Sequence, residues 1–210
     1  MFDAEHPKDQ GKWMRRTCTT QWAITSTWMF WLPNVDPAAL AKQALDHADL
    51  PSPVIPISAT LPAVTLTGYP QWLWIDKSAW RTVKAEATAD GVTATAYATP
   101  TKVVWDSGDR RELPDLQKKV CNGPGKPLPN NISLTSRWKD SDCTYFYSHT
   151  SGREPNLAFN LTATLAWHVT WAASTGATGD LGTVTRSSSI PIKVGEYQVV
   201  NVAPTGDLKK

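Results

Sequence analysis

The sequence predicts a mainly β protein, built as an antiparallel β-sandwich with an N-terminal segment that carries one α-helix. Three observations support this fold class. Residues 159–171 alternate between apolar and polar side chains, as a strand with one face in a core does. Many Thr- and Val-rich runs are separated by Pro, Gly and Asp, which is typical of short strands joined by turns. Only residues 37–48 show helical spacing.

Composition narrows the function classes. The chain has 210 residues, which suits one substantial domain with a structured appendage. Its 21 basic and 19 acidic residues give a net charge of only +2. We therefore expect no nucleic-acid partner, because such binders carry a strong basic surplus. Hydrophobic residues make up 41% of the chain, which excludes wholesale disorder.

The N-terminal segment is predicted to span residues 1–62. Its start is polar and lacks the pattern of a secretory signal. The apolar stretch 22–32 is too short for a membrane-spanning helix, which needs about 20 residues, so we expect no direct membrane span. Residues 1–16 are expected to be a frayed leader, and residues 17–32 are expected to be extended. The chain is then either intracellular or a mature fragment whose signal or anchor is absent.

One helix is predicted over residues 37–48. Asp36 is a candidate N-cap and Pro37 stands at the first helical position. Leu40, Ala44 and Leu45 share one face at helical spacing. Prolines then prevent continuation, and a Pro-rich connector runs to residue 62.

The β-sandwich is predicted over residues 63–203, with a tail at 204–210. Asp90-Gly91 lies between two alternating runs and predicts a tight hairpin turn, since Gly readily adopts positive φ. The strongest strand is 159–171, in which all seven odd-numbered positions are apolar. Ile190, Ile192 and Val194 alternate again, and residues 197–202 are a candidate last strand.

A loop insertion is predicted at about residues 106–143, because this segment has little periodicity and many turn formers. Cys121 and Cys143 bracket much of it, without the spacing of a metal site. We favour a disulfide between them, which indicates an oxidising compartment. The alternative is two unrelated buried thiols. Cys18 is then unpaired, which suggests a missing partner or an intermolecular bond.

The motif WDSGD at Trp105–Asp109 admits three interpretations. An aspartic protease needs two such turns and only one is present. A Ca²⁺ site needs six to eight oxygens, whereas Asp106 and Asp109 supply two carboxylates. The third interpretation, which we favour, is a turn after a strand in which Asp side chains cap backbone N–H groups. GPGKP at 123–127 does not match a phosphate-binding loop.

No catalytic residue, metal ligand set or cofactor site is predicted. The four histidines lack the spacing of a paired metal site, and no GxSxG motif is present. An enzyme alternative stays open: a hydrolase with a site in the 106–154 region. Its candidate residues are Asp106, Asp109, His149 and Glu154.

The eleven tryptophans are expected to serve two roles. Trp105, Trp167 and Trp171 fit core positions. Two further clusters are either internal packing or an aromatic platform that binds a glycan or a protein, because Trp is enriched at binding hot spots. This candidate binding surface comprises Trp22, Trp28, Trp31, Trp72, Trp74 and Trp80.

The order of motifs resembles the polycystic-kidney-disease (PKD) type of immunoglobulin-like domain. VVWDSGD is followed by TYFY and then by FNLTATLAW. The residues that match the family's turn are Trp105, Asp106, Gly108 and Asp109. Ser107 and Arg110 depart from that turn, and Cys143 stands where the family has His. The resemblance implies a PKD-like sandwich that acts in adhesion, spacing, or carbohydrate or protein binding.

From about Trp13 onward the chain is also similar to uncharacterised exported proteins of actinobacteria. Shared segments include PQWLWIDKSAW, CNGPGKP and TATLAWHVTW. Members are often labelled ATP/GTP-binding, but this chain has no Walker motif to support that. The resemblance implies a further cysteine upstream that would pair with Cys18.

These observations together predict a non-enzymatic extracellular or cell-envelope module. It would act by protein or glycan binding or by assembly, and a surface or conjugation-type apparatus is one setting for it. The partner is expected to be another protein or a cell-surface glycan, and an oligomer is possible. The alternatives are a self-assembling structural subunit, with strands that pair at their edges, and the hydrolase above.

Overall fold

A computed structural model describes residues 11–56, 64–129 and 141–197. It confirms a mainly β chain, and the described residues contain one α-helix. Parts of the predicted connector, insertion and last strand, and the whole predicted tail, lie outside these ranges. The elements are β1 (Gly11–Thr19), β2 (Thr25–Pro33), α1 (Pro37–Asp46), β3 (Val64–Leu66), β4 (Pro70–Trp72), β5 (Val83–Ala89), β6 (Val92–Asp106), β7 (Lys118–Cys121), β8 (Thr144–Phe146), β9 (Phe159–Ala173) and β10 (Thr178–Gly195).

The strands within the described residues form three sheets. The largest has the order β3-β10-β9-β6-β5, and β7 also pairs with β6. Strands β1 and β2 form an antiparallel hairpin, and β4 pairs antiparallel with β8. The described residues divide into two compact units: a first unit of residues 11–48, 84–97 and 170–181, and a second unit of the other described residues.

In the first unit the helix forms as predicted but ends two residues earlier, at Asp46. The Asp36 carboxylate accepts a hydrogen bond of 2.9 Å from the Ala38 backbone N–H, which confirms the N-cap. The buried face of the helix packs into a small core of the same unit. That core comprises Leu40, Ala41, Ala94 and Trp171.

The predicted hairpin turn is also confirmed in the first unit. Asp90 and Gly91 join β5 to β6 with φ of 47° and 81°. Positive φ at both central residues defines the turn type that matches the twist of the flanking strands. The turn therefore brings β5 alongside β6 in the large sheet.

In the second unit the alternation of β9 sets the core. Each odd-numbered residue from Phe159 to Trp171 is buried, as the pattern predicts, although Trp171 belongs to the first unit. Trp105 on β6 and Ile192 and Val194 on β10 are buried as well.

The predicted insertion contains a strand that its composition did not indicate. β7 pairs antiparallel with the end of β6, in a register that sets Val103 opposite Cys121 and Asp106 opposite Lys118. Cys121 ends β7 and forms a disulfide with Cys143, which directly precedes β8. The covalent bond therefore links the edge of the large sheet to the small β4-β8 sheet.

Candidate functional site

The turn after β6 is built from side chains that accept backbone hydrogen bonds. The Asp106 carboxylate accepts from the Gly108 N–H at 3.0 Å, and the Asp109 carboxylate accepts from the Arg111 N–H at 3.2 Å. The Ser107 hydroxyl accepts from the Asp109 N–H at 3.2 Å. These bonds confirm the capped-turn interpretation of the motif. Beyond the end of β6 the backbone N–H groups donate to short polar side chains instead of to the carbonyls of a neighbouring strand.

Gly108 allows this turn to lie against the chain. Its φ is +76°, and a Cβ at this position would come within 2.7 Å of both the backbone N and the backbone O of Asn160 on β9. A side chain is thus excluded both by conformation and by space. The next residue, Asp109, is consequently held in a fully buried position.

Three ligand-type side chains converge on this turn. The His149 Nδ1 atom lies 2.9 Å from Asp109 Oδ2 and 3.6 Å from Glu112 Oε1. These three atoms all lie within 4.8 Å of one another. Asp109 is fully buried, Glu112 is 16% exposed and His149 is 37% exposed. We call Asp109, Glu112 and His149 the carboxylate–histidine cluster.

Arg111 extends the network on the other side of Asp109. Its Nε lies 3.4 Å from Asp109 Oδ1 and 3.9 Å from Glu154 Oε1. The guanidinium also donates to the Thr150 carbonyl and lies 5.6 Å above the Phe159 ring. The buried Asp109 carboxylate therefore has a positive partner, as a charge in the interior requires.

Tyr147 ties the loop that carries His149 to the turn. Its hydroxyl donates to the Ser107 carbonyl at 3.1 Å, and its ring stacks on Phe159. Burial raises the pKa of Tyr147 far above its usual range, with smaller contributions from Tyr145, Asp109 and Asp106. Tyr147 therefore remains a neutral phenol and keeps donating this hydrogen bond.

Of the candidate hydrolase residues, the structure brings two into direct contact. Asp109 and His149 are hydrogen-bonded, and Glu154 joins them only through Arg111. Asp106 stays within its turn and pairs with Arg110 at 3.2 Å. Glu112 and Arg111 were not predicted from the sequence. Glu112 could have been predicted as a neighbour of Asp109, because the two residues are only three positions apart in a segment rich in turn formers.

The β1-β2 hairpin exposes a concentrated apolar surface. Trp22 at its tip is 77% exposed and Trp28 is 53% exposed, and Trp31 is half-buried. Other large side chains on the hairpin are exposed too, and they are Met14, Ile24, Met29 and Phe30. Across residues 11–33 there is no acidic residue, whereas Lys12, Arg15 and Arg16 are basic. We call residues 11–33 the aromatic hairpin.

The hairpin register places its side chains on two faces. Arg16 lies opposite Trp28 and Met14 opposite Phe30, so these four residues share one face. Cys18 lies on the same face, and Arg16, Cys18, Trp28 and Phe30 line a shallow groove there. Cys18 is an exposed free thiol. On the other face Trp13 and Trp31 make an edge-to-face contact with ring centroids 5.5 Å apart.

The second tryptophan cluster is placed differently. Trp72 on β4 is buried, whereas Trp74 and Trp80 are half-buried. Trp72 therefore contributes to packing in the second unit. The exposed aromatic surface is carried by the first cluster, in the aromatic hairpin.

Comparison of the chain with protein-family models, with curated proteins and with solved structures finds no match. Within the described ranges, none of the helices has the length and apolar character needed to cross a bilayer.

Proposed function

We propose that this protein is a non-enzymatic extracellular or cell-envelope module, with a PKD-like sandwich, that binds a partner protein through its aromatic hairpin. The observation that carries this proposal is the exposure of Trp22, Trp28 and Phe30 in one hairpin. Soluble proteins rarely leave large contiguous apolar patches uncovered unless the patch meets a partner. Trp is also the side chain that most often dominates binding energy.

The composition of the hairpin favours a protein over a glycan. The groove is lined by Arg16, Cys18, Trp28 and Phe30, so Arg16 is its one charged side chain, whereas a glycan site needs several polar groups placed around its aromatic rings. Met14, on the same face as Trp28 and Phe30, and Ile24 in the adjoining turn are exposed as well, so the apolar surface is wider than stacking on a sugar ring needs. Arg16, which lines the groove beside Trp28, favours a partner with an acidic group at its rim, since complementary charge guides association.

The disulfide between Cys121 and Cys143 supports the extracellular or envelope location. Disulfides persist mainly in oxidising compartments, because cytosolic thiols are kept reduced. The bond joins the end of β7 to the residue before β8 and closes a sequence separation of 22 residues, so it has the character of a structural bond.

The test is photo-crosslinking from the hairpin. The full chain would carry p-benzoylphenylalanine in place of Phe30, and a matched control would carry it in place of Leu113, which is 69% exposed and lies in the second unit. Both proteins are irradiated with envelope extract of the source cells. We expect a defined protein adduct from position 30 alone. We expect Arg16→Glu to reduce it severalfold, whereas Arg15→Glu on the other face of the hairpin should leave it unchanged.

Two outcomes would contradict the proposal. Identical adducts from both positions, or none from position 30, would mean that the hairpin is no docking surface. An adduct with a second copy of this chain would instead favour the self-assembling structural subunit.

A hydrolase remains a second candidate, supported by the hydrogen bond between Asp109 and His149. A buried carboxylate that orients an imidazole is the arrangement of a general base. However, Ser148 Oγ approaches the same His149 nitrogen, Nδ1, at 3.4 Å, whereas a catalytic triad uses both ring nitrogens. Ester and phosphoester hydrolysis at equal background rates by the wild type and by His149→Ala would dismiss this candidate.

A further inference from the structure

We propose that Asp109, Glu112 and His149 form a binding site for one divalent transition-metal ion of the Zn²⁺ class. The cluster offers one imidazole nitrogen and two carboxylate oxygens that all lie within 4.8 Å of one another. That donor set suits Zn²⁺ and its neighbours, whereas Ca²⁺ prefers six to eight oxygens. The inference is independent of the aromatic hairpin and of its partner.

The separations between the donor atoms fit a shared ion. Zn²⁺ bonds of about 2.1 Å at tetrahedral angles place neighbouring ligand atoms about 3.4 Å apart. His149 Nδ1 lies 2.9 Å from Asp109 Oδ2 and 3.6 Å from Glu112 Oε1, on either side of that value. The Asp109 and Glu112 oxygens are within 4.8 Å of each other, so the partly exposed Glu112 side chain would move inward to complete the site.

The backbone holds the ligands in place before an ion arrives. Asp109 and Glu112 belong to one turn, closed by a hydrogen bond of 3.3 Å from the Glu112 N–H to the Asp109 carbonyl. Tyr147 anchors the loop of His149 to Ser107 in the same turn. A site whose ligands are already ordered loses little conformational entropy when it binds.

The second oxygen of Asp109 is fixed without blocking the site. Oδ1 accepts from the Arg111 N–H at 3.2 Å and faces the Arg111 Nε at 3.4 Å. Oδ2 is the atom that faces His149. Arg111 thus acts as an outer partner that orients the ligand, which is how carboxylate ligands are commonly supported.

The charge around the cluster favours a cation. Asp109, Glu112 and Glu154 contribute three carboxylates, and Arg111 is the cation that contacts two of them. With His149 neutral the net charge is −2, which a divalent ion would balance. The partial exposure of Glu112 and His149 leaves a path from solvent and room for a water ligand.

The test is isothermal titration of the full chain with ZnCl₂ after treatment with EDTA and dialysis. All proteins carry Cys18→Ser, because an exposed thiol also binds zinc. We expect one saturable site, weakened at least tenfold by Glu112→Gln and by His149→Ala. The matched controls Glu86→Gln and His168→Ala alter exposed residues outside the cluster and should bind as the parent does.

Cobalt gives a second readout of the same site. Co²⁺ bound to nitrogen and oxygen ligands in tetrahedral geometry should show visible absorption bands that Glu112→Gln removes. Glu112→Gln keeps the shape of the side chain, so its circular dichroism should match the parent even if His149→Ala misfolds. The absence of saturable Zn²⁺ binding, binding that both variants retain, or binding of Ca²⁺ in preference to Zn²⁺ would each overturn the proposal.

Discussion

At the scale of single residues, Gly108 determines whether the turn of the candidate site can form. Two costs would arise from any side chain there. An L-residue in the left-handed region costs about 1–2 kcal/mol, and a Cβ within 2.7 Å of the Asn160 backbone would force movement that costs about a further 1–3 kcal/mol. The position of Asp109 follows directly from this turn.

We therefore predict that Gly108→Ala destabilises the protein by about 2–5 kcal/mol, the sum of these two costs. Gly91→Ala is the matched control, because Gly91 has φ of +81° but no atom lies within 4 Å of the point where its Cβ would stand. The control should lose only the conformational cost. Urea unfolding monitored by tryptophan fluorescence measures both values. If both variants lose the same free energy of unfolding, the close approach of Gly108 to the Asn160 backbone adds no cost of its own.

The residues of the turn also show how far the candidate site could be predicted. Asp106 and Asp109 as capping side chains followed from local chemistry, because the N–H groups that they cap lie two residues away. The contact of Asp109 with His149 spans 40 residues, and no local pattern encodes it. The two residues meet because β6 and β8 are held by strand pairing, and the partners of those strands do not follow from a single sequence.

At the scale of elements, the alternation of β9 was predictable because period-two burial leaves a long and strict pattern. β7 was not, because the four residues from Lys118 to Cys121 are too few to show a period. The same limit applies to β4 and β8, which have three residues each. Short strands are defined by their partners rather than by their own side chains.

The long strand gives a prediction for Trp167, whose side chain is fully buried in the second unit. Trp167→Ala should cost about 3–5 kcal/mol, because it removes a large apolar surface and leaves a cavity. His168→Ala on the exposed face of the same strand is the control and should cost no more than about 1 kcal/mol, the usual loss for a substitution outside the core. Thermal unfolding compares the two. A Trp167→Ala variant as stable as the control would place the core on the other face of β9.

At the scale of the whole molecule, the sequence predicts those features whose pattern lies within a single stretch of chain. These are the mainly β character, the helix, the hairpin turn and the disulfide. The assembly of distant segments was not predictable. Each compact unit combines three separate stretches of chain, and such grouping depends on pairings such as β9 with β6 and β10. The prediction of a frayed leader was wrong for residues 11–16, which belong to β1. They are held there by antiparallel pairing with β2, and nothing in their own side-chain pattern indicates it.

The disulfide is the observation on which the proposed extracellular or cell-envelope location rests. Cys121 and Cys143 both lie buried, and the bond joins β7 to the start of β8. Closing 22 residues of sequence separation restricts the unfolded chain and should stabilise the fold by about 3 kcal/mol in the chain-entropy model. Cys121→Ser with Cys143→Ser should therefore lower the free energy of unfolding by that amount, whereas Cys18→Ser should not change it. Mass spectrometry of the native protein without reduction should show the two peptides linked. If both thiols are instead alkylated in protein taken directly from its source cells, the bond is absent there and the extracellular assignment loses its support.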